Sequence, residues 1–192
     1  MAIDVDVFAL QNALEINYPE TYLSGIVAVI NIGANITNVA IVERGTSQLV
    51  RDLSLGGFFF IENMRKELNL SFDDSEKLLK GIPIKSVPGE KVEEVVSFNI
   101  KDLLDEIDKT FSFYEAGEKR EKKIEHIYLS GGLAHLKNIG ESFEQKFHIK
   151  TEVFNPFRNI TYDEKKLDAA YLQDSAALFG VAVGLATRRM DK

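Results

Sequence analysis

Residues 26–55 read IVAVINIGANITNVAIVERGTSQLVRDLSL and contain three apolar segments separated by two short glycine turns. The first segment, Ile26–Ile32, is an apolar run of the kind found in a central strand that is buried on both faces. A turn at 31–35 leads to a second strand at 36–42, and Arg44-Gly45 leads to a third at 48–55. Strands joined by such short turns pair with their neighbours in the chain. The stretch therefore predicts an antiparallel meander.

Helices and two further strands are predicted on either side of the meander. Asp4 and Asp6 alternate with apolar residues, which suggests a short strand at 3–7, and the spacing over 8–16 predicts a helix that ends before Pro19. Ser71 and Asp74 have the spacing of a capping box at the start of a helix. The predicted helices after the meander cover 61–70, 71–80, 88–114, 133–147 and about 173–188, and the strands cover 124–129 and 150–154. Small residues in the last helix predict close packing against the sheet.

This order of elements predicts an α/β fold. Three antiparallel strands followed by two strand–helix units is the order of a ribonuclease-H-like lobe, with a mixed five-stranded sheet and helices on both faces. Actin-like ATPases place two such lobes around a nucleotide cleft. The expected fold class is therefore one lobe of an actin-like ATPase.

Composition excludes several classes of function. The 192 residues carry 23 basic and 30 acidic side chains, a net charge of −7, and no strongly basic segment, which argues against a nucleic-acid partner. Cysteine is absent, so thiolate catalysis, disulfides and Cys-ligated zinc are excluded. The apolar runs are short, and we expect no membrane span and a cytoplasmic location.

Two glycine turns are the features of the sequence that could bind a ligand. In the turn from Asn31 to Thr37, Gly33 would let backbone N–H groups approach a phosphate, and Thr37 would add a hydroxyl. In Ser130-Gly131-Gly132, the glycines would let a base or ribose lie against the backbone. Each turn taken alone is more often an ordinary tight connection than a binding site. Their placement at matching ends of one sheet favours a shared binding site.

Nearly the whole chain resembles, in order, the second half of the PilM family, the actin-like, FtsA-related assembly proteins of type IV pili. The segments that carry the resemblance are IDVDVFALQNALEINY (3–18), INIGANITNVAIVERG (30–45), RDLSLGG (51–57), RKELNLSFDDSEKLLKG (65–81), IYLSGGLAHLKNIGESF (127–143), EVFNPFRNI (152–160) and ALFGVAVGLATRR (177–189).

The resemblance implies a nucleotide site, partners and a division of the chain. ATP and Mg²⁺ are the family's cofactors, and the matching cofactor-binding residues are Asn31, Gly33, Ala34, Thr37, Glu76, Gly131 and Gly132, with Asn31 holding the metal indirectly through water. Residues 1–20 would cross between lobes, and 21–192 would form the second lobe with a helical insertion around 61–118. The implied partner is the cytoplasmic tail of PilN, whose groove lies mostly in the half that has no counterpart here. Other inner-membrane components of the pilus and motor ATPases are further candidate partners.

Three departures from the family pattern fall in the nucleotide site. Asn31 stands where the family has Asp, and Leu79 stands where it has Lys, although Lys77 and Lys80 flank that position. Phe58-Phe59-Phe60 replaces polar residues. These three rings would either all pack inside at a helix start, the favoured interpretation, or alternate so that two form an exposed apolar patch.

Three hypotheses for function follow. The leading one is a pilus assembly scaffold at the cytoplasmic side of the inner membrane, in which nucleotide sets the angle between lobes and thereby the affinity for partners. The alternatives are an active actin-like ATPase and an FtsA-like filament protein. The sequence offers no clear catalytic base, and the neutral Asn31 argues against the enzyme.

Overall fold

A five-stranded mixed sheet forms the centre of the computed structural model, which describes residues 5–117, 123–163 and 168–188. Its strands are β1 (Ile26–Ile32), β2 (Thr37–Glu43), β3 (Thr46–Leu53), β4 (His126–Ser130) and β5 (Lys150–Val153), in the order β3-β2-β1-β4-β5. β1, β2 and β3 are antiparallel neighbours, whereas β4 is parallel to β1 and β5 is parallel to β4. The predicted meander and mixed sheet are confirmed.

Helices cover both faces of the sheet. They are α1 (Asp6–Asn17), α2 (Pro19–Ser24), α3 (Gly57–Leu68), α4 (Phe72–Leu79), α5 (Gly89–Ala116), α6 (Ile139–Phe147), α7 (Ala169–Ser175) and α8 (Gly180–Ala186), with a 3₁₀ turn at Ala176–Phe179 between the last two. Ile26, Ala28 and Ile30 face a core built with α3, α5 and α6. Val27 and Val29 face a second core built with α1 and α8. Successive residues of β1 point to opposite faces, so a strand covered on both sides is apolar along its length.

The N-terminal segment differs from the prediction. Asp6 and Val7 belong to α1 and not to a strand, while Ile3 and Asp4 lie outside the described residues. Val7, Leu10 and Leu14 are buried at helical spacing, so helix packing overrides the local alternation of polar and apolar residues. Pro19 ends α1 and also begins α2, a helix that the sequence analysis missed.

The last predicted helix is broken at the 3₁₀ turn. The carbonyl of Ala177 accepts two hydrogen bonds from the end of β4, one from the N–H of Gly131 and one from the Ser130 hydroxyl, both at 2.9 Å. These bonds draw the carbonyl away from the helical ladder. The run Ala169–Ala186 is long and apolar enough to cross a membrane by length and composition alone, but here it is interrupted, and its last part, α8, packs against α1. Arg189, the last residue of the matching segment 177–189, lies outside the described residues.

Contact between α1 and α8 depends on a glycine. A Cβ placed on Gly184 would lie 1.7 Å from the carbonyl oxygen of Ala9. The small residues of α8 therefore pack mainly against α1, and not against the sheet as the sequence suggested. The two helices approach each other backbone to backbone because α8 has no side chain at this point.

The segment after β5 closes the end of α1. Asn159 donates from its side chain to the Ile16 carbonyl at 3.0 Å, and its N–H donates to Asn17 Oδ1 at 2.9 Å. Arg158 forms an ion pair with Glu20 at 2.6 Å. The last carbonyls of a helix have no partner within the helix. This polar connection supplies hydrogen-bond donors to them. It ties residues 155–160 to the first helix.

Gly184→Ala should destabilise the protein by about 3 kcal/mol or more, because its methyl group would push α8 away from α1. Gly140→Ala in α6 is the matched control, since nothing lies within 4 Å of a Cβ there. We expect the control to change stability by less than about 1 kcal/mol, in the stabilising direction. Urea unfolding followed by circular dichroism measures both. Equal midpoints would contradict the close contact between the two helices.

Candidate functional site

A cavity of about 980 Å³ lies at the carboxyl ends of β1 and β4. Asn31 pairs with Ser130 in the parallel register of these strands, so the two glycine turns that follow them meet at one edge of the sheet. The cavity extends from these turns to the loop between α4 and α5. In open α/β sheets, the carboxyl ends of neighbouring strands are the usual place for a ligand.

The β1–β2 turn caps α3. The carbonyls of Gly33 and Ala34 accept hydrogen bonds from the N–H groups of Gly57 and Phe58, at 2.9 and 2.8 Å. A Cβ on Gly56 would lie 2.7 Å from both of these carbonyl oxygens, so only glycine allows this approach. The first N–H groups of a helix have no partner within it and often bind anions. In α3, two of them are already occupied by the protein's own backbone.

The second glycine turn lies directly against the first. Gly131 has φ +90°, and a Cβ there would lie 2.5 Å from the Ile32 carbonyl oxygen and 2.8 Å from Asn31 Oδ1. Both the backbone conformation and the contact favour glycine. The ends of β1 and β4 are thereby held in backbone contact beneath the cavity.

Six of the seven predicted cofactor-binding residues line the cavity. They are Asn31, Gly33, Ala34, Glu76, Gly131 and Gly132. Thr37 does not reach it, because Thr37 is fully buried and its hydroxyl donates to the Leu55 carbonyl at 2.5 Å. The two glycine turns, whose proximity the sequence only suggested, therefore lie side by side. The Thr37 hydroxyl, which we expected near a phosphate, instead bonds to the Leu55 carbonyl at the end of the meander.

Asn31 is held by a chain of side-chain amides. Its Nδ2 donates to Asn38 Oδ1 at 3.1 Å, and Asn38 Nδ2 donates to Asp52 Oδ1 at 2.7 Å. This row of hydrogen-bonded side chains crosses β1, β2 and β3 and leaves Asn31 Oδ1 facing Gly131. The Asp52 carboxylate at its far end thus lies two strands away from the cavity edge. Asn31 offers a neutral oxygen there, which can hold a water molecule but brings no charge to a metal ion.

The charged residues that line the cavity occur as pairs. Lys80 Nζ lies 2.8 Å from Glu76 Oε1, and Lys137 Nζ lies 2.6 Å from Glu93 Oε1. The hydrogen bond from Lys137 lowers the pKa of the exposed Glu93 carboxyl, and Glu93 in turn raises the pKa of Lys137. Lys77, the other lysine near Leu79, pairs with Asp74 and does not line the cavity.

The outer wall of the cavity is apolar, and the sequence analysis missed it. It comes from the α4–α5 loop, the start of α5 and the segment after β4; its apolar residues are Ile82, Pro83, Ile84, Val87, Val92, Val96, Leu133 and Leu136. Apolar residues in the loop IPIKSVP, which has no periodic pattern of its own, were the available signal. The helix predicted from residue 133 begins at Ile139 instead, and the residues before it form turns around this wall.

The three consecutive phenylalanines separate along α3. Phe60 is fully buried, Phe59 is partly buried, and Phe58 is 44% exposed and lines the cavity. The expectation that all three pack inside is wrong for Phe58, and the alternating pattern is wrong as well. The helix begins at Gly57, so helical periodicity turns the first ring outward, where it lies 5.9 Å from the ring of Phe72.

The donor set does not favour a directly ligated metal. Within residues 5–117, 123–163 and 168–188, no group of three or more His, Asp or Glu side chains is placed to hold one. The part of the cavity beside the β1–β2 turn is lined by Asn31, Gly33, Ala34, Gly57 and Phe58, none of which is a carboxylate. Magnesium prefers anionic oxygen ligands. At this edge of the sheet, Asn31 could therefore contribute to metal binding by holding a metal-bound water molecule.

Solved structures with the same fold are actin-like proteins. The PilM–PilN type IV pilus biogenesis complex matches with a TM-score of 0.84 at 24% identity, over 97% of this chain and 52% of that chain. MreB5 of Spiroplasma citri bound to ADP matches at 0.65 and 17% identity, over 93% and 57% of the two chains. The ethanolamine utilization protein EutJ from Carboxydothermus hydrogenoformans matches at 0.64 and 20% identity, over 95% and 53%. The chain spans about half the length of these proteins, and its fold is that of one actin-like lobe.

The sequence also matches a protein family along nearly its entire length. Residues 1–190 match the family described as type IV pilus assembly protein PilM. This agrees with the resemblance carried by the glycine turns, the segment after β5 and the final helices. The chain therefore belongs to the PilM family of type IV pilus assembly proteins.

Proposed function

We propose that this chain is the second lobe of a PilM-like scaffold that docks inner-membrane components of the type IV pilus from the cytoplasmic side. The observation that carries the proposal is the match to the PilM family over residues 1–190, supported by an actin-like lobe with its cavity at the expected sheet edge. Residues 1–20 would cross between lobes, and 21–192 would form the lobe itself.

The proposed partner is the cytoplasmic tail of PilN. The PilM–PilN complex is a structural neighbour, and that PilM is about twice as long as the part that this chain matches. Most of the groove for the tail would lie in the unmatched half, so this lobe would act on the partner through the angle between lobes. Other inner-membrane pilus components and motor ATPases remain candidates for its outer surface.

The cavity would hold a nucleotide between the lobes. Gly131, Gly132 and Glu76 would contact the base and ribose, and the turn at Gly33 and Ala34 would lie near the phosphates. A bound ATP would supply a charged group that both lobes can contact. The contribution of this lobe is positional, because its two turns are fixed by backbone contacts and do not depend on flexible side chains.

The same residues favour a scaffold over an enzyme. A general base must be free to accept a proton, but Glu76 and Glu93 are each bound to a lysine, and the pKa of Glu93 is lowered. Asn31 brings no negative charge to a metal ion. The two carboxylates among the described lining residues are thus both paired, and His135 is a further lining side chain that can accept a proton.

The complete native protein should release no phosphate from ATP above a protein-free blank, because both carboxylates in the described lining are paired with lysines and Asn31 brings no charge to a metal ion. A coupled phosphate-release assay at neutral pH with Mg²⁺ measures this. Asn31→Asp, which returns a carboxylate to the edge of β1, is the variant for comparison. Turnover by the unaltered protein would contradict the scaffold proposal and favour the active ATPase.

Deleting the coding sequence in a piliated host should abolish surface pili, and an antibody to this chain should recover PilN from membrane-solubilised extracts. Both results follow if the lobe links cytoplasmic and inner-membrane parts of one machine. Complementation with the Gly140→Ala variant, which leaves the fold intact, is the positive control. Normal piliation in the deletion strain together with absence of PilN from the precipitate would refute the proposed function.

A further inference from the structure

The two edges of the sheet differ in how they are protected. β5 forms one edge and has four residues. The N–H of Thr151 donates to Glu144 Oε1 at 2.9 Å, and the neighbouring Lys150 side chain is exposed. A side chain that occupies an edge N–H, together with an exposed lysine, prevents another strand from pairing there. The β5 edge is therefore protected by the molecule itself.

The other edge is formed by β3, a strand of eight residues that contains neither proline nor lysine. Its register with β2 shifts at one point, because Gln48 is an extra residue on β3. Such a bulge interrupts the ladder locally. The regular part of this edge is therefore Leu49–Leu53, where every second residue points its backbone groups away from β2.

Hydrogen bonds at both ends of the β1–β2 pair fix the alternation of the meander. The N–H of Gly33 donates to the Ile36 carbonyl, and the N–H of Arg44 donates to the Gly25 carbonyl, each at 3.0 Å. Opposed residues in an antiparallel ladder alternate between pairs that exchange hydrogen bonds and pairs that do not. Both bonds give the same result. Even-numbered residues of β2 bond to β1, and odd-numbered residues turn their backbone groups toward β3.

The register of β2 with β3 then identifies the outward groups of β3. Odd-numbered residues of the two strands lie opposite each other, in the pairs Thr37–Leu53, Val39–Arg51 and Ile41–Leu49. These residues of β3 use their backbone groups on β2, so Val50 and Asp52 point their N–H and C=O groups out of the sheet. Within the described residues, no helix or loop donates to these groups or accepts from them. An extended chain is the partner whose groups match this spacing.

The side chains along this edge define what such a partner must carry. Val50 is 42% exposed, and Asp52, which accepts from Asn38, lies on the same face of β3. Arg51 is exposed on the opposite face. Opposed side chains stabilise a sheet when apolar residues face each other and when charges are opposite. A matching strand therefore places an apolar residue at Val50, a basic residue at Asp52 and an acidic residue at Arg51.

A second copy of the chain does not meet these requirements. Two copies related by a twofold axis would pair antiparallel about one central residue of β3. Centred on Arg51, they oppose two guanidinium groups and place Val50 against Asp52, and centred on Asp52 they oppose two carboxylates. Centred on Val50, they reach the bulge at Gln48. Like charges placed directly opposite each other destabilise a sheet, so the edge favours a different polypeptide.

We propose that the edge of β3 binds an extended segment of another protein, which adds a sixth strand antiparallel to β3. Read from the residue opposite Leu53 to the residue opposite Leu49, the segment is polar, basic, acidic, apolar and apolar. The backbone of Val50 and Asp52 holds it, and the charges set its register. None of these β3 residues lines the cavity, so the inference does not depend on the nucleotide site.

A synthetic peptide with the core Thr-Lys-Glu-Val-Ile, blocked at both ends, is the probe that tests the inference. Titrated into isotope-labelled protein, it should shift the NMR amide signals of Val50 and Asp52. We expect a dissociation constant of about 1 mM or tighter, as a few backbone hydrogen bonds would give. Absence of these shifts at millimolar peptide overturns the inference. A concentration-dependent change in the two signals without peptide would show a second copy at the edge and would overturn the choice of partner.

Methylation of the peptide backbone separates strand addition from other modes of binding. A methyl group on the nitrogen of the peptide valine removes the donor to the Val50 carbonyl and should weaken binding about tenfold or more. The glutamate nitrogen points away from β3, so its methylation is the matched control and should change the affinity by less than about twofold. Equal effects of the two methyl groups contradict strand addition.

Val50→Pro tests the same contact from the side of the protein. Proline removes the outward N–H and leaves the bonds of β3 to β2 in place, which is where an edge strand tolerates it. We expect binding of the peptide to weaken about fivefold or more. Val50→Thr keeps the N–H and is the control, with an affinity within about threefold of the unaltered protein. Unchanged binding by a folded Val50→Pro protein overturns the inference, and the methylated peptides decide the question if this variant does not fold.

Discussion

Backbone contact at the end of β1 is the constraint on which the site depends. The carbonyls of Gly33 and Ala34 cap α3, and the carbonyl of Ile32 lies against Gly131 at the end of β4. Neither approach leaves room for a Cβ, so the positions of α3 and of the segment after β4 are fixed by the chain itself. The cavity is the space that remains above this junction. Its floor is consequently built from backbone, while its outer wall consists of loop residues, the start of α5 and surface ion pairs.

The sequence predicted the elements that are determined locally. β1 was predicted with its exact bounds because a strand covered on both faces must be apolar along its length, and Ser71 caps α4 through the N–H of Asp74 as its spacing indicated. The errors arise where distant segments compete with local preference. The carbonyl of Ala177 is taken by Ser130 and Gly131, which breaks the last helix, and burial of Val7 on the same face of α1 as other buried residues turns an apparent strand into a helix. Such contacts join residues far apart in the chain and leave no periodic signal.

The candidate site likewise combines features that the sequence predicted with features that it could not predict. The glycine turns were recognisable because glycine marks positions where backbones approach, and the register of β1 with β4 brings them together. The apolar wall and the pairing of Lys137 with Glu93 were not predictable, since the paired residues are 44 positions apart and the loop has no repeating pattern. Thr37 shows the converse error, because a hydroxyl in a glycine turn has the same sequence signature whether it faces a ligand or the Leu55 carbonyl. Sequence patterns located the edge of the sheet that forms the site, but not the charge balance within it.

That charge balance bears on how a scaffold of this kind would be regulated. A ligand shifts an equilibrium between lobe angles only through the difference in its affinity for the two states. The lysines that line this lobe, Lys80 and Lys137, lie in solvent-exposed pairs with Glu76 and Glu93, and such surface pairs are weak. Hydrolysis would then change the contribution of this lobe only to the extent that a phosphate draws Lys80 or Lys137 away from its glutamate. The neutral Asn31 adds no charge to this balance, because its side chain is held by Asn38 beside the two glycine turns.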